Sequence, residues 1–131
     1  MEGQMADFSV ESRALEVSGR KVLVFAVTGS VDASAVKDLD DAFTAALRDG
    51  AKCLVLDMSR MDYISSAGLR LLLRFRKTAG EAGGVLKVAA LHREIRQNVF
   101  DALGFSRLIE VHGTVEEAVQ SLSTDDKSTA V

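Results

Sequence analysis

The pattern of hydrophobic and polar positions begins with two segments that are typical of β-strands. In residues 8–17, apolar side chains alternate with polar ones and then change phase near Ala14, which predicts an edge strand with an irregularity. Ser18 and Gly19 mark a tight turn, and the near-continuous apolar run 21–29 follows it. We expect these two strands to pair as a hairpin.

The rest of the chain alternates between helical stripes and short apolar runs. The predicted helices cover residues 33–49, 66–82 and 95–103, with a last one after Thr114. The predicted strands between them cover residues 52–57, 85–91 and 107–111. Strands that are separated by helices need crossover connections, so these strands should run parallel. The prediction is an α/β fold with a mixed, mostly parallel sheet of about five strands and about four helices.

Length and tail composition indicate one domain. The 131 residues fit a single domain of ordinary size. Thr114 and Glu117 have the spacing of a capping box at the start of the last helix. The segment after that helix is polar. We therefore expect a domain over residues 1–123 and a disordered tail over residues 124–131.

Charge and composition exclude several classes of function. The net charge of −3 disfavours binding to nucleic acid and a polybasic membrane anchor. No apolar run approaches the ~20 residues that span a bilayer, and the first residues lack an apolar signal stretch. Cys53 lies in an apolar run as a small core residue, and neither His92 nor His112 has metal-ligand spacing with it. We expect a cytoplasmic protein with no bound metal.

Candidate chemistry lies where the strands of such a sheet end. Sites form beyond the carboxyl ends of the strands, and this should bring together segments 29–34, 58–68 and 91–94. In the middle segment, Tyr63 and Ile64 are expected to pack the loop against the core. Ser65 and Ser66 then stand at the start of the second helix, where a serine commonly caps free backbone N–H groups.

Modification is the alternative role for such a serine. The donors and the positive dipole end of a helix start tolerate a phosphate, with a gain of about 0.3–1 kcal/mol. The same phosphate adds roughly −1.5 to −2 charges to the surface. Within a protein interface that charge costs binding energy when no cation faces it. Phosphorylation could therefore abolish binding and leave the fold intact.

Three stretches of the chain resemble the STAS domain family, and within it the stand-alone anti-sigma factor antagonists. They are GSVDAS (29–34), LVLDMSRMDYISSAGLRLLL (54–73) and VFDALGFSRLIEVHGTVEEAV (99–119). The resemblance covers about residues 8–122. Counting back from Gly68 and Leu69 places the family's phosphorylated residue at Ser66. Ser65 is the alternative, because many antagonists have Asp at that position, and Ala67 stands where Ser or Thr often follows.

The resemblance implies partner switching. The unmodified antagonist would bind an anti-sigma factor, which is a serine kinase of the histidine-kinase-like ATPase class. The kinase would phosphorylate the antagonist and release it, and a PP2C-type phosphatase would restore it. The ATP belongs to the kinase, so no cofactor is expected on this chain, which should be a monomer.

The predicted partner-binding residues surround the phosphorylated serine. They are Asp32, Ser65, Ser66, Ala67, Gly68, Arg70 and Arg74. Asp32 could equally be the N-cap of the first helix. Arg70, Arg74 and Lys77 share one helical face, which is either a solvated face or part of the partner surface.

Two other functions fit the sequence less well. The chain could be a STAS module of another system, such as a stress-signalling scaffold or a subunit of lipid transport. It could also be a serine hydrolase with Ser66 as nucleophile and His92 nearby, but a Gly-x-Ser-x-Gly elbow is absent from the sequence. We therefore expect a regulator and not an enzyme.

Overall fold

Five strands form one sheet in the order β1-β2-β3-β4-β5. The computed structural model describes the backbone of residues 8–129 and the side chains of residues 8–123. The strands are β1 (Ser9–Val17), β2 (Arg20–Val31), β3 (Cys53–Ile64), β4 (Val85–Ala89) and β5 (Glu110–His112). β1 is antiparallel to β2, and the other neighbouring pairs are parallel. The predicted α/β fold with a mixed, mostly parallel sheet of five strands is confirmed.

Helices cover both faces of the sheet. They are α1 (Ala33–Arg48), α2 (Ser66–Glu81), α3 (Arg93–Ile95) and α4 (Val115–Thr129). A π-helical turn over Arg96–Asp101 continues α3, and a 3-10 turn over Phe105–Arg107 precedes β5. α1, α2 and the π-helical turn pack on one face, and α4 packs on the other.

Three aromatic rings hold α1 and α2 on the first face. Phe43 of α1 contacts Phe25 of β2 and Phe75 of α2 edge-to-face, with ring centroids 5.2 and 5.0 Å apart. Edge-to-face pairs of this kind stabilise by about 0.5–1.5 kcal/mol beyond the burial of their area. The contacts fix both helices relative to β2. The helix N-termini lie at the carboxyl ends of the strands, because α1 directly follows β2 and α2 directly follows β3.

A buried lysine joins β4, β5 and α4 on the second face. Lys87 is fully buried, and its Nζ lies 2.6 Å from Glu110 Oε1 and donates to Ser121 Oγ at 2.6 Å. His112 Nε2 lies 2.8 Å from the same carboxylate oxygen. The hydrogen bond from Lys87 is the main cause of a lowered pKa for Glu110. Sequence analysis missed this cluster, because a lysine inside an apolar run gives no sign of which partners meet it.

The hairpin of β1 and β2 forms as predicted, but β1 contains no irregularity. Pairing is continuous from Ser9 opposite Thr28 to Val17 opposite Arg20, and the turn at Ser18 and Gly19 has positive φ at both residues. Positive φ at both central residues suits the right-handed twist of a two-residue hairpin. The change of phase has another cause, because Phe8 and Val10 pack on the face of α1 and α2 whereas Leu15 and Val17 pack on the face of α4.

β3 is twice as long as predicted, because the segment expected to be a loop continues the strand. The register with β2 shifts between Ala26 and Thr28 and again between Gly29 and Ser30, and each shift inserts one extra residue in β3. Met58, Met61 and Ile64 are buried, with two non-buried residues between each pair. The bulges therefore replace the usual period of two by a period of three, which does not look like a strand in the sequence.

The chain between β4 and β5 also departs from the prediction. β4 ends at Ala89, because Ala90 has φ +64 and turns the chain away. The π-helical turn then buries Phe100 and leaves Leu103, which was expected to face the core, 64% exposed. A π-helical turn advances by more residues than an α-helical turn, so it rotates the following side chains out of the predicted stripe. β5 is only three residues long, since the 3-10 turn occupies the start of the segment 107–111.

α4 differs from the prediction at its C-terminal end. One half of its capping box is confirmed, because Glu117 N–H donates to Thr114 Oγ1 at 3.0 Å. The return hydrogen bond differs from the prediction, because Glu117 Oε1 accepts from the N–H of Gly113, one residue before the N-cap, at 3.2 Å. The helix continues to Thr129 and so occupies most of the range 124–131 that was expected to be a disordered tail. No glycine or proline interrupts that stretch, so nothing local ends the helix at 123. Residues 130 and 131 lie outside the described residues.

Candidate functional site

The candidate site is the junction where β2 and β3 end and α1 and α2 begin. Ser65 N–H donates to the Val31 carbonyl oxygen at 2.9 Å, which ties the end of β3 to the end of β2. Asp32 follows Val31 at once, so the first residues of both helices lie side by side. The structure thus brings together two of the three predicted segments, 29–34 and 58–68.

Asp32 is the N-cap of α1. Its Oδ1 accepts hydrogen bonds from the backbone N–H groups of Ser34 and Ala35, both at 3.1 Å, and from Ser34 Oγ at 2.7 Å. The hydrogen bond from the Ser34 hydroxyl is the main cause of a lowered pKa for Asp32. The side chain is exposed, so a capping role leaves the outer side of the carboxylate open to solvent. Both roles considered for Asp32 in the sequence remain compatible with this position.

Ser65 and Ser66 have different environments. Ser65 is the N-cap of α2, and its Oγ accepts from Gly68 N–H at 3.1 Å. Ser66 is the first residue of the helix and is exposed, and its hydroxyl makes no hydrogen bond with the residues that the structure describes. The capping role expected for one serine therefore belongs to Ser65, and the accessible hydroxyl belongs to Ser66.

Gly68 allows the start of α2 to approach the ends of β2 and β3. A Cβ atom at Gly68 would lie 2.8 Å from Ile64 Cγ1 and 3.0 Å from Val31 Cγ1. Gly68 is buried, whereas Ala67 is half-buried. Gly68 therefore allows the start of α2 to pack against the strand ends, and it is too buried to contact a partner itself.

Two arginines extend the exposed surface along α2. Arg70 lies one turn after Ser66 and is exposed. Arg74 lies one turn further, and its Nη2 is 2.7 Å from Asp40 Oδ2 of α1. A surface ion pair of this kind contributes about 0–1 kcal/mol, so it orients Arg74 more than it stabilises the fold.

The third predicted segment, 91–94, starts at a lower level of the sheet. The last residue of β4, Ala89, lies opposite Asp57, whereas β3 continues to Ile64. Those seven further residues extend β3 by up to about 20 Å at the usual rise of a strand. Segment 91–94 therefore starts beside the beginning of segment 58–68 and not at the level of Ile64, which differs from the expectation of strands of equal length.

Tyr63 does not pack against the core. Ile64 is buried as expected, but 53% of Tyr63 is exposed. The expectation of inward packing treated residues 58–64 as a loop and did not foresee the bulges that turn Tyr63 outward. An exposed aromatic residue next to Ser66 is thus a part of the site that sequence analysis missed.

The candidate site is open to solvent, because Asp32 and Ser66 are both exposed. A depression of about 560 Å³ lies at the opposite end of the molecule, where Arg76, Lys77 and Leu108 are among the lining residues. Within the described part of the chain, no group of three His, Cys, Asp or Glu side chains could hold a metal ion. None of the helices in residues 8–129 is long and apolar enough to cross a membrane.

Comparison with known proteins identifies relatives along most of the chain. Residues 14–118 match the STAS domain. BtrV of Bordetella bronchiseptica, named as a candidate anti-sigma factor antagonist, is 32% identical over 103 residues, which cover 79% of this chain and 88% of BtrV.

Solved structures show the same fold. An anti-sigma factor antagonist of Mycobacterium paratuberculosis superposes with a TM-score of 0.71 at 23% identity, over 86% of this chain and 93% of that one. The unphosphorylated anti-sigma factor antagonist SpoIIAA superposes with a TM-score of 0.69 at 20% identity, over 88% of this chain and 96% of that one. Phosphorylated SpoIIAA of Bacillus superposes with a TM-score of 0.64 at 20% identity, covering 88% of this chain and 99% of the other.

Proposed function

Because the chain belongs to the STAS domain family, we propose that it is an anti-sigma factor antagonist whose binding is turned off by phosphorylation of Ser66. One observation carries the proposal: Ser66 is exposed at the first residue of α2. A kinase can reach such a hydroxyl, and a protein partner can cover it.

Ser66 is better suited than Ser65 to be phosphorylated, for a physical reason. The Ser65 hydroxyl oxygen accepts a hydrogen bond from Gly68 N–H, and the residue is half-buried. Loss of an N-cap of this kind costs about 1 kcal/mol. Phosphorylation of Ser65 would put that cap at risk, whereas phosphorylation of Ser66 leaves it in place. The preference for Ser66 over Ser65 therefore follows from which hydroxyl the fold already uses.

A phosphate on Ser66 changes binding more than it changes stability. It adds roughly −1.5 to −2 charges next to a helix N-terminus, where an anion is favourable by about 0.3–1 kcal/mol. The exposed Arg70, one turn along the helix, adds positive charge on the same side. The free protein therefore accommodates the phosphate. A partner that covers Ser66 must instead desolvate it, and each 1.4 kcal/mol of that cost lowers affinity about tenfold.

The proposed partner surface follows from these positions. Asp32, Ser65, Ser66 and Ala67 form its tip, and Arg70 and Arg74 extend it along α2. The partner is an anti-sigma factor that is also a serine kinase of the histidine-kinase-like ATPase class, and a PP2C-type phosphatase reverses the modification. We place this cycle in the cytoplasm, with the antagonist acting as a monomer. The existence of SpoIIAA structures in phosphorylated and unphosphorylated forms supports a fold that tolerates phosphorylation.

The test is a binding titration with variants of Ser66. The probes are the histidine-kinase-like serine kinases encoded in the same genome, each purified and titrated with this chain. Ser66→Ala should bind one of them and resist release by ATP, and Ser66→Asp should bind it at least ten times more weakly than wild type. Thr78→Asp is the matched control, because Thr78 is an exposed hydroxyl residue of the same helix three turns away.

Mass mapping after incubation with that kinase and ATP identifies the modified serine. Phosphate on Ser66 supports the proposal, and phosphate on Ser65 alone moves the switch to the capping residue. Equal affinity of wild type and Ser66→Asp for the kinase would remove the switch.

A further inference from the structure

Tyr63 is a large aromatic side chain that the fold turns toward solvent. It is 53% exposed, while Met61 and Ile64 on either side of it in β3 are buried. Burying an aromatic residue removes a large apolar area from water, so a fold that leaves one exposed gives up that stabilisation. A single exposed apolar side chain is ordinary on a protein surface, but Tyr63 is distinguished by its position at the end of β3, three residues before Ser66.

The backbone around Tyr63 holds the side chain in place. Tyr63 pairs with Ser30 of β2 just after the second register shift, so the bulge sets its direction. Two residues later, the hydrogen bond from Ser65 N–H to the Val31 carbonyl oxygen joins the ends of β3 and β2. β-Bulges commonly redirect a side chain next to a functional site. Tyr63 is thus presented on a paired strand and not on a loop.

The position of Tyr63 places it within the footprint of a partner at Ser66. Three residues separate the two positions, so their Cα atoms lie within about 11 Å of each other. A protein interface of ordinary size covers about 800 Å² on each partner, which is far wider than this separation. A partner protein centred on Ser66 is therefore wide enough to reach Tyr63.

We propose that Tyr63 is the main apolar anchor of the contact with the anti-sigma factor, and this inference rests on the function proposed for Ser66. The partner should offer an apolar pocket for the ring with a polar group for the phenol oxygen. Tyrosine is enriched among the residues that carry most of the binding energy, and it loses little entropy because only two torsions are fixed. Arg60 and Asp62, both exposed, supply a polar rim of mixed charge.

The proposal also explains how a phosphate could act on a contact made by a ring. Binding energy comes from a desolvated aromatic anchor, and the surrounding contacts exclude water from it. A phosphate on Ser66, three residues from Tyr63, holds water close to the ring. It therefore lowers the binding energy of the Tyr63 contact without contacting the ring itself. Tyr63 would then provide most of the binding energy, and phosphorylation of Ser66 would lower the affinity.

The test replaces Tyr63 and compares affinities for the purified histidine-kinase-like serine kinase that binds wild type. Tyr63→Ala should weaken binding about 30-fold or more, and Tyr63→Phe should stay within about fivefold of wild type. Tyr63→Thr should match Tyr63→Ala, and it keeps a β-branched residue that favours a strand. Leu108→Ala is the control, since Leu108 is 46% exposed and precedes β5 at the opposite end of the sheet.

The outcomes separate this inference from the proposed function. If Ser66→Asp releases the kinase but Tyr63→Ala and Tyr63→Thr bind within threefold of wild type, the anchor is wrong and the switch stands. If Tyr63→Ala changes sedimentation of the free protein and not kinase binding, the ring contacts a second copy and the inference also fails. If wild type binds none of these kinases, both proposals fail together.

Discussion

Replacing Gly68 by alanine tests whether close packing sets the position of Ser66. The added Cβ would lie 2.8 Å from Ile64 Cγ1, 3.0 Å from Val31 Cγ1 and 3.3 Å from Ile64 Cδ1. Carbon atoms in contact prefer about 3.5–4.0 Å, so either α2 or the two strand ends must move. Both neighbours are β-branched and therefore stiff at their first torsion. The displacement should fall on the helix start that carries Ser66.

The magnitude follows from two opposing terms. Forcing a methyl group into a packed site costs about 1–3 kcal/mol. Alanine is better than glycine inside a helix by about 1 kcal/mol. Gly68→Ala should therefore lower the free energy of unfolding by roughly 0–2 kcal/mol. The range is too wide to interpret without a control in the same helix.

Gly80 supplies that control. It also lies in α2, and a Cβ there would meet nothing within 4 Å. Gly80→Ala should raise the free energy of unfolding by up to about 1 kcal/mol. The two variants should then differ by about 1–3 kcal/mol, which is the packing cost alone.

Urea unfolding of wild type and the two variants measures this difference. A shift of the midpoint with an unchanged slope reports stability and not a change of the unfolded state. If Gly68→Ala proved as stable as Gly80→Ala, the argument that Val31 and Ile64 position the helix start would be refuted. If Gly68→Ala also alters phosphorylation of Ser66 while Gly80→Ala does not, the packing controls the site as well as the fold.

Two further predictions concern the cap of α2 and the ion pair between buried Lys87 and exposed Glu110. Ser65→Ala should lower the free energy of unfolding by about 1 kcal/mol, whereas Ser66→Ala should change it by less than about 0.5 kcal/mol; equal effects in urea unfolding would contradict the assignment of the cap. The hydrogen bond from Lys87 lowers the pKa of Glu110 in the folded protein below its ordinary value of 4.5. The ionised Glu110 carboxylate therefore stabilises the fold fully above pH 4.5, and this stabilisation is lost as the pH falls toward the lowered pKa. Stability measured from pH 7 down to pH 3 should thus fall more steeply for wild type than for Glu110→Gln, and parallel profiles would show that this carboxylate is not responsible.

Much of the fold could be predicted because it depends on local patterns. The helical stripes of α1 and α2 and the turn at Ser18 and Gly19 are signals within a few residues, and all three are confirmed. The parallel arrangement of β2, β3 and β4 follows from the crossovers alone. The position of Ser66 at a helix start required only the stripe that begins there. These features needed no knowledge of which distant residues meet.

Errors occur where two distant segments decide the local structure together. The continuation of β3 to Ile64 depends on register shifts against β2, and the second half of β3, residues 58–64, has a period of three that resembles no strand. The buried Lys87 depends on Glu110 and Ser121, which lie in β5 and α4. The phase of β1 depends on helices from both faces of the sheet. In each case the missing information is tertiary, and propensity within the segment cannot supply it.

The error in the predicted end of β3 bears directly on the proposed function. If β3 had ended at Asp57 as expected, Ser66 would follow a loop of eight residues, 58–65, and binding of a partner would have to remove the conformational freedom of that loop. Because β3 continues beside β2 to Ile64, the backbone that leads to Ser66 is already ordered in the free protein. If a partner binds this tip as proposed, the chain would lose little conformational entropy in the complex, and more of the contact energy would remain as affinity. Under the same proposal, the order would make affinity sensitive to charge, since a rigid surface would not move a phosphate on Ser66 away from the partner.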